Sequence, residues 1–226
     1  MCFNASTSLA TFSLSFFLSS YLIVTGTIKK KNIDIYFGII SILIGIMQLL
    51  EYFIWKHQNC GKINHLLSLC IIILLYLQGI VSYFFHMYLF SSYSNNNILI
   101  FIFILFFYSL FTLYLLNYLN QYKLCSKPSK NSCRLIWAPY YVFSLSNYNI
   151  LLSHIFHFFY FGIILYLLFQ NKPIQNYPLR FLFLPITLII AVIYSYHKEG
   201  YNYGDIFGSV WCFMAVFLPL VYILNI

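Results

Sequence analysis

Few residues in this chain could do chemistry, and one of them stands in an unusual place. Glu51 lies in the run MQLLEYFIW, Met47 to Trp55, and is the carboxylate set well inside a hydrophobic segment. A charge at the centre of a bilayer costs roughly 2.5–3.5 kcal/mol on insertion scales, so such a residue faces protein or water and keeps a partner. Gln48, Glu51 and Trp55 stand at i, i+3 and i+7 and share one helical face. Glu51 is therefore a candidate proton acceptor or base; the plain alternative is a structural carboxyl that links helices. His154 and His157 stand at i, i+3 in a later segment. With Glu51 they have the make-up of a two-histidine, one-carboxylate site for a divalent metal, and Cys2 or Cys212 could add a thiolate. The plain alternative is two interfacial histidines bonded to loops or headgroups. Cys2 becomes N-terminal if Met1 is removed, where it could ligate metal, attack as a nucleophile or be acylated, or simply be inert.

The elements that must position these residues follow from composition. The chain has 226 residues, of which 62% are hydrophobic and only 7% charged. Soluble domains carry about 25% charged residues, and disordered chains are far less hydrophobic, so both classes are excluded. A bilayer core takes about 20 apolar residues per helix. Seven apolar segments answer to that length, approximately 8–26, 35–56, 65–91, 98–119, 149–169, 179–197 and 206–225. Turn residues separate them: KKKN, HQNCGK, SSYSNNN, a long loop at 120–148, QNKPIQNYP and HKEGYNYGD. Pro185 predicts a kink in the sixth segment. The expected fold is all-α, a polytopic seven-transmembrane-helix bundle forming one domain over 1–226, integral to a membrane. The partner is the lipid bilayer, with a small-molecule or lipid ligand compatible. The net charge of +8 is spread over loops and reads as topology signals and headgroup contacts, not as a nucleic-acid patch.

With the N-terminus outside, the inner loops carry Lys29, Lys30, Lys31, Lys172 and Arg180. The outer ones carry Lys56, Lys62, Lys123, Lys127, Lys130, Arg134 and Lys198, which opposes the positive-inside rule. The basic cluster after the first segment still favours N-outside. Parity places Glu51, Cys2, His65, His154, His157, His197, Asp205, Trp211 and Cys212 towards one membrane face whatever the orientation, and His86 towards the other. Glu51 is about five residues from the end of its segment, roughly 7–8 Å of rise. Gly208 and Ser209 are small enough to bring the last segment close to a neighbour. Trp55 and Trp211 are large enough to close a pocket there. The expected pocket is thus Cys2, Gln48, Glu51, Trp55, Ser209, Trp211 and Cys212. Cys125 and Cys133 fall in the long loop, where a disulfide requires an oxidising compartment. Trp55, Trp137, Tyr140, Tyr141 and Tyr201 read as an interfacial aromatic belt. Asn4-Ala5-Ser6 is a formal glycosylation sequon too close to the first segment for efficient use.

Three blocks carry a resemblance: Met1-Cys2-Phe3-Asn4-Ala5-Ser6, the Gln48, Glu51, Trp55 face, and Phe207-Gly208-Ser209-Val210-Trp211-Cys212. Together they resemble an uncharacterised family of multi-spanning membrane proteins from bacteria and large DNA viruses. Its members open Met-Cys-Phe-Ser-Ala, carry Gln-x-x-Glu-x-x-x-Trp in the second helix and end with a Ser-Val-Trp-Cys helix. Asn4 stands where that family has Ser. The resemblance implies no activity; it implies that Cys2, Gln48, Glu51, Trp55, Trp211 and Cys212 act together. Ser82 and His86 are similar in spacing to the Ser-x-x-x-His element of the seven-helix alkaline ceramidase and progestin-receptor superfamily. The paired histidines of that superfamily's last helix are missing from the seventh segment here. That segment also lacks a lysine for a retinal Schiff base and the Asn-Pro-x-x-Tyr of rhodopsin-like receptors.

These residues lead to an integral membrane protein with a polar Glu/Cys/His pocket at one face, binding a small ligand, a proton or a metal. The alternative is a membrane-embedded, metal-dependent hydrolase of a lipid-like substrate, with Glu51 as base or ligand.

Overall fold

A computed structural model of the chain describes residues 4–90, 95–143, 145, 147–170, 178–200 and 204–224. Side chains at 95–97, 147, 165, 168–170, 178, 179, 181, 204 and 205 lie outside the description, and with them the expectations for Asp205. Cys2 and Tyr201 also lie outside the described residues.

The described chain is all-α apart from one small hairpin. Its elements are α1 (Ala5–Ile28), α2 (Asn32–Lys56), α3 (Lys62–Phe90), α4 (Asn95–Asn120), β1 (Lys127–Pro128), β2 (Leu135–Ile136), α5 (Ala138–Phe143), α6 (Asn147–Gln170), α7 (Pro178–Glu199), α8 (Gly204–Ala215) and α9 (Leu218–Ile223). Six stretches among the described residues are long and apolar enough to cross a membrane: α1, α2, α3, Ile98–Asn120, Leu182–Glu199 and Ile206–Ile223. In α6 the described part of the apolar stretch is Tyr148–Ile164. By length and composition the chain is a multi-pass integral membrane protein, with six such helices among the described residues, and the remaining one of the seven expected segments falls in α6.

Local rules set the helix ends. Asn4 caps α1, its Oδ1 accepting from the Thr7 N–H at 2.9 Å. Asn is among the residue types that fill this role best. At the other end Lys30 takes a left-handed φ of 52°. The Lys31 N–H reaches Gly26 O at 2.8 Å and the Lys30 N–H reaches Thr27 O at 3.3 Å, which closes a Schellman turn without glycine. Pro185 lies inside α7 without ending it. Pro219 does act: it cannot donate to residue 215, and the last expected segment is broken into α8 and α9.

The centre of the bundle is α2, which packs on α1, α3, α8 and α9. Burial takes in 56% of the α2 apolar window and 67% of Ile206–Ile223, against 17% for α4, which therefore lies at the periphery. The α1–α2 contact runs on small residues. Ser8, Thr11, Ser15 and Ser19 are buried along one stripe of α1. A Cβ at Gly38 would meet Ile23 Cγ1 at 2.5 Å, and one at Gly45 would meet Ser15 Oγ at 2.9 Å. Backbones approach this closely where lipid gives no hydrophobic drive and packing must hold the helices together. The outward faces of α1, α4 and α7 expose Phe17, Phe103 and Ile193, as a lipid-facing surface does.

The expected loop at 120–148 is not a free connection. It holds the β1–β2 hairpin, antiparallel with Lys127 opposite Ile136, and then α5. Cys125 is bridged to Cys60 in the α2–α3 turn, with Cα atoms 4.9 Å apart. This corrects the expected Cys125–Cys133 pair; Cys133 is disulfide-bonded as well. Asn64 clamps the same segment from α3, donating to Ser126 O at 2.9 Å and accepting from the Ser126 N–H at 2.8 Å. His65 accepts from the Leu124 N–H at Nδ1, which leaves Nε2 to donate to Asn120 Oδ1 at 3.0 Å. The opposite end of the bundle has its own polar contacts: Asn32 donates to Leu89 O at 2.6 Å, and the buried Arg180 stacks 5.1 Å from the Tyr222 ring.

Candidate functional site around Glu51

Glu51 is 2% exposed, on the face of α2 that also buries Met47, Gln48, Leu50 and Ile54. Both carboxylate oxygens are engaged. Gln48 Nε2 donates to Oε2 at 3.2 Å, and Trp137 Nε1 donates to Oε1 at 3.0 Å. The Ser209 side chain on α8 also hydrogen-bonds Glu51. The Thr11 hydroxyl on α1 lies 3.1 Å from Gln48 Oε1, and the carboxylate sets the orientation of the amide. Were the amide reversed, its oxygen would face the carboxylate and repel it. Three elements thus meet at one carboxylate, α2, the loop through Trp137 and α8 through Ser209, and α1 reaches it through the Thr11–Gln48 contact.

Trp137 and Tyr140, expected in the interfacial aromatic belt, are placed elsewhere. Trp137 is 1% exposed and Tyr140 is 8% exposed, so neither belongs to an interfacial belt. The reason is α8. A Cβ at Gly208 would lie 2.3 Å from Trp137 Cζ3, so the missing side chain is what lets the indole lie on the helix. The small residue does permit a close approach, but to the loop's tryptophan. The signal was available in the loop's apolar run from Leu135 to Tyr141, which is long for a solvated connection.

Arg134 enters from the same loop. Its guanidinium lies 4.7 Å from the Phe213 ring centroid. Burial pulls the Arg134 guanidinium down to about 10, while the charge of Glu51 pulls it back up. It remains cationic at neutral pH and offsets the carboxylate across the site.

The histidines take different places. His154 is exposed, while His157 is half-buried. His157 Nδ1 contacts Ser153 O at 2.7 Å and Nε2 contacts Tyr140 Oη at 2.9 Å. A donating Nδ1 leaves Nε2 to accept from the Tyr140 hydroxyl, and both ring nitrogens are used. The Trp137 and Tyr140 rings stand 5.7 Å apart between Glu51 and His157. The expected Glu51, His154, His157 triad is therefore not assembled. Among the described residues no group of three or more His, Cys, Asp or Glu could hold a metal ion.

Cys212 is a buried free thiol close enough to Glu51 to feel its charge, and it shares the Ser209 face of α8 at i+3. Trp211, two residues beyond Ser209, is turned roughly 200° away by helical geometry. It packs edge-on to Tyr160 at 5.8 Å and Phe161 at 5.6 Å. Trp55 is partly buried at the edge of the α2 face. Cys2, the remaining member of the expected pocket, lies outside the described residues.

No family is named by comparison. No protein-family model matches the chain, and no curated protein or solved structure matches it. Any functional reading stands on the geometry just described.

Proposed function

We propose that this is a seven-span integral membrane protein whose Glu51 centre takes a proton or a small hydrogen-bond donor, with the Trp137 segment as the built-in occupant of that position. The observation that carries this reading is the Trp137 to Glu51 bond, 3.0 Å long and supplied by a loop instead of a helix. Loop contacts can open without unfolding a bundle, whereas helix-to-helix contacts at the same depth cannot. Protonation of Glu51 would remove its attraction for Arg134 and reduce its capacity to accept from Trp137, Gln48 and Ser209 together. The loop would then loosen as the carboxylate is neutralised.

The seventh span in this reading is α6, whose 24 residues match the bilayer thickness even though its described apolar stretch is shorter. The Cys60–Cys125 bridge supports an orientation with the Glu51 face, and with it Asn4, towards an oxidising compartment. The basic cluster Lys29-Lys30-Lys31 then lies inside, as the positive-inside rule asks of the first helix. Membership of the uncharacterised family that opens Met-Cys-Phe-Ser-Ala belongs to the same proposal. Its second-helix and last-helix blocks supply Gln48, Glu51 and Ser209, which hydrogen-bond one another here.

The test is infrared difference spectroscopy of the purified protein in lipid across a pH series. A carboxylic-acid carbonyl band missing from Glu51→Gln should appear together with a change in indole environment missing from Trp137→Phe. A Glu51 band with no indole response would refute the occupant role, and no titrating band at all would refute the centre.

A further inference from the structure

The membrane face that carries Glu51 bears more positive charge than a topology signal accounts for. Seven of the chain's 12 Lys and Arg residues fall there, and the positive-inside rule would put the majority on the other side if this face is external. Arg134 is turned inward to Phe213 and Glu51. Lys62, Lys123, Lys127 and Lys130 are exposed and line two adjoining grooves of about 520 and 550 Å³, which meet at Tyr122 and Lys123. No acidic side chain lines either groove among the described residues. Glu199, which reaches this loop, is bound by Ser129 and Asn131.

The larger groove is amphipathic. Leu124, Ile136 and Val142 form its wall, and Tyr141 and Leu145 stand exposed at its rim. A row of tyrosines leads from it down α4. Tyr122 and Tyr118 are hydroxyl-bonded at 2.8 Å, and the Tyr118 ring lies 6.1 Å from Tyr148 and 6.4 Å from Tyr114. Tyrosine gathers at the headgroup level of membranes, which sets the groove at that height. A soluble anion would use the lysines and leave the apolar wall bare. A phospholipid uses both.

We infer that this groove binds an anionic phospholipid of the adjoining leaflet, its phosphate on Lys123, Lys127 and Lys130 and its acyl chain against Tyr141 and Leu145. The inference rests on the membrane reading of the helices and is independent of whether Glu51 titrates.

The full-length protein would be taken from nanodiscs of phosphatidylcholine with a minor share of phosphatidylglycerol, and its retained lipids counted by native mass spectrometry. Phosphatidylglycerol should be retained about tenfold or more above its share, an effect that weakens as salt is raised. The K123Q/K127Q/K130Q variant should lose this enrichment; all three side chains are exposed, so the fold should survive, and circular dichroism checks it. The K29Q/K30Q/K31Q variant removes as much charge from the opposite end and should keep the enrichment. If the triple variant does not fold, the single reversal Lys127→Glu takes its place. Enrichment that survives loss of the groove lysines, or that falls equally in the opposite-end control, overturns the inference. So does displacement of the lipid by free glycerol phosphate at equal concentration, which would mark a site for soluble anions.

Discussion

At the residue scale the site depends on one hydrogen atom. Gly208 has no Cβ, and the Trp137 indole occupies the space where one would sit, 2.3 Å from Cζ3. Gly208→Ala must displace the ring or the helix. Overpacking of this kind costs about 1–3 kcal/mol. It should also break the Trp137 bond to Glu51 and leave a buried acceptor short of a donor. Gly162 supplies the matched control, because a Cβ there would meet nothing within 4 Å. In a helix interior, Gly→Ala with open space gains up to about 1 kcal/mol. The two substitutions should therefore move the thermal midpoint in opposite directions, Gly208→Ala downward and Gly162→Ala upward or not at all. Acrylamide quenching should rise only in Gly208→Ala. Equal effects would mean that the Trp137 seat is not tight and that the loop does not depend on it.

At the element scale, sequence and structure part in the loop. The helices were legible because lipid demands about 20 apolar residues per span, and composition alone reveals such runs. The α2 face was legible for the same reason that makes Glu51 costly: a polar residue in an apolar segment must turn inward. The α5 segment was not, since Trp137 and Tyr140 are the residue types that also form interfacial belts. Only the three-dimensional seat beside Gly208 separates the two uses. Nor could spacing reveal which cysteine meets Cys125, because its partner Cys60 is 65 residues away and is brought near by the α3–α4 hairpin. Pro219 was visible, and its effect follows from the missing N–H. The bridge itself makes a prediction. Disulfides stabilise by about 2–4 kcal/mol as a rule, and residues 65 apart fall at the upper end of that range in the chain-entropy account. The Cys60→Ser/Cys125→Ser variant should melt lower by an amount of that order in detergent, and its loop should be cut first by added protease. An unchanged melting midpoint would show that Asn64 and Ser126 hold the loop without the bridge.

At the scale of the whole molecule the open question is the number of crossings, and the structure turns it into a question about α6. Six other stretches among the described residues are long and apolar enough to cross: five lie in α1, α2, α3, α4 and α7, and the sixth runs through α8 and α9. If α6 crosses, the chain makes an odd number of passes and its termini lie on opposite faces. If α6 lies along the surface, the count is even and the termini share a face. Contacts favour crossing. α6 packs against α3, α4 and α5. Tyr160, near its middle, donates to Gln78 Oε1 at 2.6 Å, and Gln78 in turn donates to Leu43 O at 3.2 Å. Gln78 sits 16 residues into α3, roughly 24 Å from its start at 1.5 Å per residue. A surface helix cannot place Tyr160 at that depth while Asn149 bonds Val142 O at 2.7 Å in the loop above. The α6 helix must descend between those two anchors. We therefore expect opposite sidedness for the two termini, with the N-terminus on the face of the Cys60–Cys125 bridge. Single epitopes placed before Met1 and after Ile226, probed in sealed vesicles with and without permeabilisation, would report it. One epitope should be reached without permeabilisation and the other only after it. Equal accessibility of both would return α6 to the surface, and with it the depth assigned to Tyr160 and Gln78.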